Sequence, residues 1–269
     1  MEKPRPCQQP FFRDAGAGPG VVCIHSNAST SSQWRGLMDQ LSGRFRVLAP
    51  DSLGAGKSPD WPQGRVVSLA DEVALLEPVF AMAGDPFYLV GHSYGAAVAL
   101  MAALAQPGRV RALALYEPTL FSLLEEEAPG SEAANGIRHA ARDAAAAIDA
   151  NDPAGAARYF LDYWMGAGSW DSMPAARQGP VAASMVNVRG WASALFGEPA
   201  PLQAFRALDI PVLYMVGAMS PASSRGVARL LTHTLPRVEV MQFAGLGHMG
   251  PVTHPQVVND AIDRFFSRS

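Results

Sequence analysis

Short apolar runs rich in β-branched residues alternate along this chain with polar loops and with segments of helical spacing. Val21-Val22-Cys23-Ile24 reads as a buried strand, followed by a polar loop over 25–32 and helical spacing over 34–41. Phe45-Arg46-Val47-Leu48-Ala49 is a second strand, closed by Pro50-Asp51. A loop with Gly54, Gly56, Pro59 and Pro62 leads to a helix running toward Ala83. Ser68 is its cap, and Asp71 and Glu72 fall in its first turn, where the helix dipole favours acids. Phe87-Tyr88-Leu89-Val90 is a third strand, 91–95 a tight turn, 96–105 an apolar helix and 110–116 a fourth strand. Strands that alternate with helices predict parallel βαβ units with both sheet faces covered.

The alternation lapses between 119 and 202, where helical segments (138–150, 154–165, 181–196) occur without a strand pattern. It resumes with a strand over 211–216, a helix over 223–235, a strand over 238–243 and a closing helix over 255–266. The predicted architecture is an α/β core with a mostly parallel, doubly wound sheet, built from residues 1–118 and 203–269, with a helical cap inserted over 119–202. A connection of roughly 80 residues exceeds any ordinary loop and implies a subdomain.

Hydrophobic residues make up 49% of the 269 and charged ones 17%, which excludes a disordered chain. The net charge of −3 argues against nucleic acid or anionic lipid as partners and leaves a small molecule. The longest apolar run, 96–105, is roughly half a membrane span. The opening MEKPRPCQQPFF holds no apolar stretch of signal-peptide length, and Pro4, Pro6 and Pro10 break any helix there. The two cysteines, Cys7 and Cys23, permit one bridge at most and are expected as free thiols of a reducing, cytoplasmic compartment. Glu125, Glu126 and Glu127 read as a solvated face rather than a metal site. No exposed apolar helix stands out to indicate an oligomeric state.

The chemistry concentrates in Tyr88-Leu89-Val90-Gly91-His92-Ser93-Tyr94-Gly95-Ala96-Ala97, a strand, then Gly-x-Ser-x-Gly, then a helix. So abrupt a reversal forces Ser93 into a strained backbone and leaves no room for side chains at Gly91 and Gly95. It projects the serine hydroxyl at the C-terminal edge of the sheet, beside the first amides of the helix. The ordinary alternative is a strand-to-helix turn with an N-cap serine. Together with residues 21–27, Asp51-Ser52-Leu53-Gly54-Ala55-Gly56-Lys57-Ser58 and Gly245-Leu246-Gly247-His248, this segment resembles the α/β-hydrolase superfamily over nearly the whole chain. The resemblance implies nucleophilic catalysis by Ser93 and no cofactor. Gly56-Lys57-Ser58 is not a phosphate loop, because Asp51 stands where its first glycine belongs and no helix follows.

A serine nucleophile needs a base. Among six histidines, His248 follows the strand over 238–243 in a Gly-rich loop, the family's place for it, and His254 is its rival. The acid departs from the family's usual pattern. The loop after the strand over 211–216 reads Gly217-Ala218-Met219-Ser220-Pro221, with Ser220 where an aspartate is customary. The family's second placement, after the strand ending at Tyr116, holds Glu117, so the expected triad is Ser93–His248–Glu117. Otherwise Glu117 anchors the entry to the cap and the acid comes from elsewhere. The resemblance implies an oxyanion hole from the amides of Tyr94 and Asn27, the latter in His25-Ser26-Asn27. Ser26, His92 and Trp164 are expected at the substrate. Aromatics of the insertion belong mostly to its own core, with a minority lining an apolar pocket. The implied activity is hydrolysis of a carboxylic ester, thioester or lactone of a small, largely apolar substrate. A carbon–carbon bond hydrolase and a non-catalytic small-molecule receptor are the alternatives.

Overall fold

A computed structural model describes residues 9–61 and 65–269; Pro4, Pro6, Cys7 and Pro62 lie outside the described residues. Seven strands, β1 (Phe12–Ala15), β2 (Gly20–Ile24), β3 (Arg46–Pro50), β4 (Phe87–His92), β5 (Val110–Tyr116), β6 (Val212–Gly217) and β7 (Val238–Phe243), form one sheet in the order β1-β3-β2-β4-β5-β6-β7. All pairings are parallel except that of β1, which runs antiparallel to β3 at the sheet edge. The helices are α1 (Arg35–Leu41), α2 (Leu69–Ala83), α3 (Tyr94–Ala105), α4 (Ser122–Glu127), α5 (Glu132–Asp149), α6 (Pro153–Met165), α7 (Ala175–Ser184), α8 (Val188–Phe196), α9 (Ala222–Thr234), α10 (Gly250–Thr253) and α11 (Pro255–Phe266).

The pattern-derived strands reappear with ends moved by a residue or two. β1 has no counterpart in the sequence reading, because Phe-Arg-Asp-Ala neither alternates nor makes an apolar run. It is held by its partner strand and by Asp14, whose carboxylate pairs with the Arg46 guanidinium at 2.7 Å. The helix expected from Ala96 starts two residues earlier, at Tyr94. Ser68 caps α2 reciprocally: its hydroxyl accepts from the Asp71 N–H, and the Asp71 carboxylate accepts from the Ser68 N–H at 2.8 Å. Arg65 beside Asp71 holds that carboxyl down at about 2.

The sheet is covered on both faces. Leu37 and Leu41 of α1 and Val258 and Ile262 of α11 pack on Val21, Val47 and Tyr88. Leu76 and Phe80 of α2 and Val98 of α3 pack on Val22, Leu89 and Leu113 of the other face. Each large apolar side chain so buried contributes roughly 1.5–3 kcal/mol. Between β5 and β6 the chain forms helices (α4–α8) joined by turns and loops, with no strand among the described residues. Trp164, Trp191 and Leu195 of this insertion belong to the same continuous apolar cluster as α2 and α3. The insertion therefore shares the main core on that side.

Register decides where the chemistry can lie. His92 pairs with Tyr116, Tyr116 with Met215, and Gly217 with Phe243, so β4 to β7 end along one edge. Loops leaving the C-terminal ends of parallel strands are where such sheets bind ligands. Cys23 is fully buried within β2, and burial pushes its thiol up. No helix among the described residues is long and apolar enough to cross a membrane.

Candidate active site

At the end of β4 the chain turns into α3 through Ser93, at φ 57° and ψ −117°. A non-glycine residue there is strained, and its surroundings must enforce the conformation. They do so by close approach. A Cβ on Gly95 would lie 2.3 Å from the Ile24 carbonyl oxygen and 2.5 Å from that of His25. One on Gly91 would lie 2.4 Å from the Ala96 Cα. The Ser93 N–H donates to the Tyr116 carbonyl at 2.9 Å, tying the turn to β5.

Three side chains from three strand ends meet at this edge. The His248 Nε2 lies 2.9 Å from the Ser93 Oγ, and its Nδ1 lies 2.6 Å from the Glu117 Oε2. A carboxylate at Nδ1 makes that nitrogen the donor and leaves Nε2 to accept from the serine hydroxyl. Glu117 is fully buried, and His248 and Ser93 are nearly so. The far oxygen of Glu117, Oε1, accepts from the Gly217 N–H at 2.7 Å and from the Ser220 hydroxyl at 2.5 Å. Ser220, where an aspartate is customary, is thus a donor to the carboxylate at the other position. Ser224 Oγ stands 3.3 Å from the His248 Nδ1. Glu117 itself adopts φ 47°, so the chain turns out of β5 at the residue that carries the carboxylate.

The loop bearing His248 is pinned from below. The Tyr116 hydroxyl donates to the Gly247 carbonyl at 2.8 Å, and the His92 Nε2–H donates to the His248 carbonyl at 2.8 Å. From above, Trp164 of α6 stacks on the His248 ring, with centroids 4.0 Å apart and planes 26° apart. His254, the rival histidine, is exposed and pairs with Thr253 outside this cluster.

His92, expected at the substrate, does not line the cleft. It is fully buried, and its Nδ1 accepts from the Gln33 amide at 3.1 Å while Nε2 holds the His248 loop. Burial and the neighbouring His248 push its pKa well down, in keeping with a neutral ring. Gln33 had no signal in the sequence. Its Oε1 accepts from both the N–H and the hydroxyl of Ser26, at 3.1 and 3.0 Å, so Ser26, Gln33, His92 and the His248 carbonyl form one chain of hydrogen bonds. The Ser26 hydroxyl is spent on that chain, although the residue lines the cleft. His25 likewise braces its loop, donating from Nδ1 to the Ser26 carbonyl at 2.7 Å and accepting the Ser52 N–H on Nε2 at 3.0 Å.

Asn27 follows β2 and Tyr94 opens α3, on either side of Ser93. The Tyr94 N–H, at the first helical position, has no i−4 carbonyl to bond. Two cavities open on the Ser93 hydroxyl. One is a cleft of about 1180 Å³ between the sheet edge and the insertion, lined by Ser26, Asn27, Trp164 and His248 among others. The other is a small chamber of about 40 Å³ lined by residues of α5 and α8. A hydroxyl bonded to an imidazole that is bonded to a buried carboxylate can attack a carbonyl, and free amides beside it can hold the developing oxyanion.

A family model described as alpha/beta hydrolase fold matches residues 19–255. The chain is similar to the pimeloyl-[acyl-carrier protein] methyl ester esterase of Methylococcus capsulatus, 38% identical over 133 residues, 48% of this chain and 49% of the relative. It therefore spans about half the length of that relative. The esterase of the same name from Chromobacterium violaceum is 26% identical over 256 residues, 91% of this chain and 93% of the relative. Among solved structures, a hydrolase from Oleispira antarctica superposes with a TM-score of 0.81, covering 98% of this chain and 96% of that one at 18% identity, a likeness of fold.

Proposed function

The chain belongs to the alpha/beta hydrolase fold family, and on that premise we propose that it is a serine hydrolase that cleaves a carboxylic ester, thioester or lactone. Ser93 is the nucleophile, His248 the general base and acid, and Glu117 the anion that orients and stabilises the imidazolium. The observation that carries this reading is the unbroken run of hydrogen bonds from the Ser93 hydroxyl through both His248 nitrogens to a carboxylate with no exposure to water.

The Ser93 oxygen bonds to the substrate carbonyl carbon as its proton passes to His248 Nε2. The carbonyl electron pair moves onto oxygen, facing the amides of Asn27 and Tyr94. The bond to the leaving group then breaks, and the His248 proton goes to the departing heteroatom. Water enters and gives its proton to His248 as its oxygen bonds to the acyl carbon; the bond from that carbon to the Ser93 oxygen then breaks, the Ser93 oxygen takes the proton back from His248, and the acid departs. The likeness to two methyl ester esterases supports ester chemistry without naming this chain's substrate.

The test is labelling with a small fluorophosphonate, read by intact mass, beside release of nitrophenol from p-nitrophenyl acetate. Wild type should label once per chain and Ser93→Ala not at all. A folded wild type that does not label refutes the proposal and favours a receptor for small molecules. Labelling without hydrolysis of any ester, thioester or lactone favours a carbon–carbon bond hydrolase.

A further inference from the structure

The two cavities at Ser93 are unequal, and the position of His248 says which part of a substrate each receives. The departing atom must collect its proton from His248 Nε2, so the leaving group lies on the side where His248 is exposed to the cavity. His248 lines the large cleft and is absent from the walls of the small chamber. The acyl chain, on the opposite side of the carbonyl carbon, then points into the chamber, which Asn27 and Ser93 also line. We infer that this enzyme selects esters with a short acyl group and a bulky leaving group.

The inference rests on the serine-hydrolase reading above and adds the direction in which the ester lies. Phe160, Trp164 and Trp191 line both cavities and form the partition between them. Trp164 is fixed in that partition by its stack on His248, at 4.0 Å between centroids. Phe121 and Phe196, with ring centroids 5.3 Å apart, line the chamber and not the cleft. One water needs about 10–15 Å³ of such space, so the chamber's 40 Å³ holds about three heavy atoms beyond the carbonyl, an acetyl to butyryl group. The cleft, at about 1180 Å³, exceeds the usual size of a pocket for a drug-sized molecule. It presents Gln33, Arg177 and Asn187 along with apolar walls, which suits a large leaving group of mixed polarity. A pimeloyl methyl ester has the reverse build, with the long chain on the acyl side and methanol leaving.

Two isomeric esters separate the directions. Heptyl acetate and methyl octanoate have the same formula and carry the same seven-carbon chain on opposite sides of the ester group. Proton release by the wild-type enzyme should give a kcat/KM for heptyl acetate at least tenfold above that for methyl octanoate. Phe196→Ala, which opens the chamber, should narrow that ratio at least threefold by raising methyl octanoate turnover. Equal rates, or a preference for methyl octanoate, overturn the inference while leaving the serine hydrolase standing. A tenfold preference that Phe196→Ala leaves unchanged overturns the assignment of the acyl chain to the chamber. Hydrolysis of neither ester, in a protein that also fails to take up fluorophosphonate, overturns both readings. The wild-type comparison stands by itself if the variant does not fold.

Discussion

Glu72 offers a test of the environment behind the site. It lies on α2, fully buried, and accepts from the Tyr94 hydroxyl at 3.0 Å and the Leu53 N–H at 3.1 Å. It thereby joins the residue after Ser93 to a loop that lines the cleft. Burial pushes its carboxyl up from 4.5 to about 7, outweighing the two donors, which favour the charged form. With the folded value above the unfolded one, the group's contribution to stability is fully present below pH 4.5. It is lost as pH rises to and through about 7, because the unfolded chain gives up its proton first. At 1.36 kcal/mol per unit, the wild type loses about 2.5 kcal/mol from this residue between pH 5 and pH 8. Glu72→Gln keeps the shape and cannot titrate. Its amide must turn a donor toward one of the two donors, a cost that does not vary with pH. Urea unfolding of both proteins at pH 5 and pH 8 gives a double difference in which every other titrating group cancels. The variant should gain about 2.5 kcal/mol on the wild type from the lower to the higher pH. A double difference under about 0.5 kcal/mol would refute the assignment of a raised carboxyl at this position.

Other changes probe the triad and its turn. Ser220→Ala removes the hydroxyl that donates to Glu117 Oε1 at 2.5 Å, and the rate of fluorophosphonate inactivation should fall about 10- to 100-fold, as for a hydrogen bond to a charged group; an unchanged rate would mean that Gly217 alone suffices. Glu117→Gln should lower kcat on p-nitrophenyl acetate by about 10³–10⁴ with folding retained, and a loss under tenfold would sink the acid assignment. Gly95→Ala drives a methyl group to within 2.3 Å of the Ile24 carbonyl, so it should cost more than about 3 kcal/mol and show as a fall in Tm; a variant that melts with the wild type would contradict the packing described for the turn.

Much of the fold was legible because the parallel strands are buried on both faces and so read as unbroken apolar runs. β1 escaped because an edge strand needs only one partner and carries Arg13 and Asp14 as readily as apolar residues. The triad candidates were legible where the backbone itself is demanding. Gly91 and Gly95 mark the turn at Ser93, and the glycines of 245–250 mark the loop of His248. Glu117 stands at the family's second placement of the acid, with no acid near Ser220, and sequence order does not reveal that the Ser220 hydroxyl reaches the same carboxylate. His92 lies away from the cleft lining for a related reason. A residue next to Ser93 lies close to the candidate site in the chain, but β4 turns its side chain beneath the sheet edge, where Gln33 and the His248 carbonyl take both ring nitrogens. Contacts of that kind link residues 59 and 156 positions apart, beyond the reach of any local pattern.

The stack of Trp164 on His248 has a consequence for how this molecule could diversify. Ser93, Glu117 and His248 follow strands β4, β5 and β7, so none of the three is carried by helices α4–α8. The indole at 164 comes instead from the insertion and rests on the His248 ring. Any transplanted roof that lacks a flat side chain there would hand that ring face to solvent. A chimera exchanging residues 119–202 therefore inherits two obligations from the scaffold it joins: a flat side chain at position 164, and apolar partners in place of Trp191 and Leu195 for the core shared with α2 and α3.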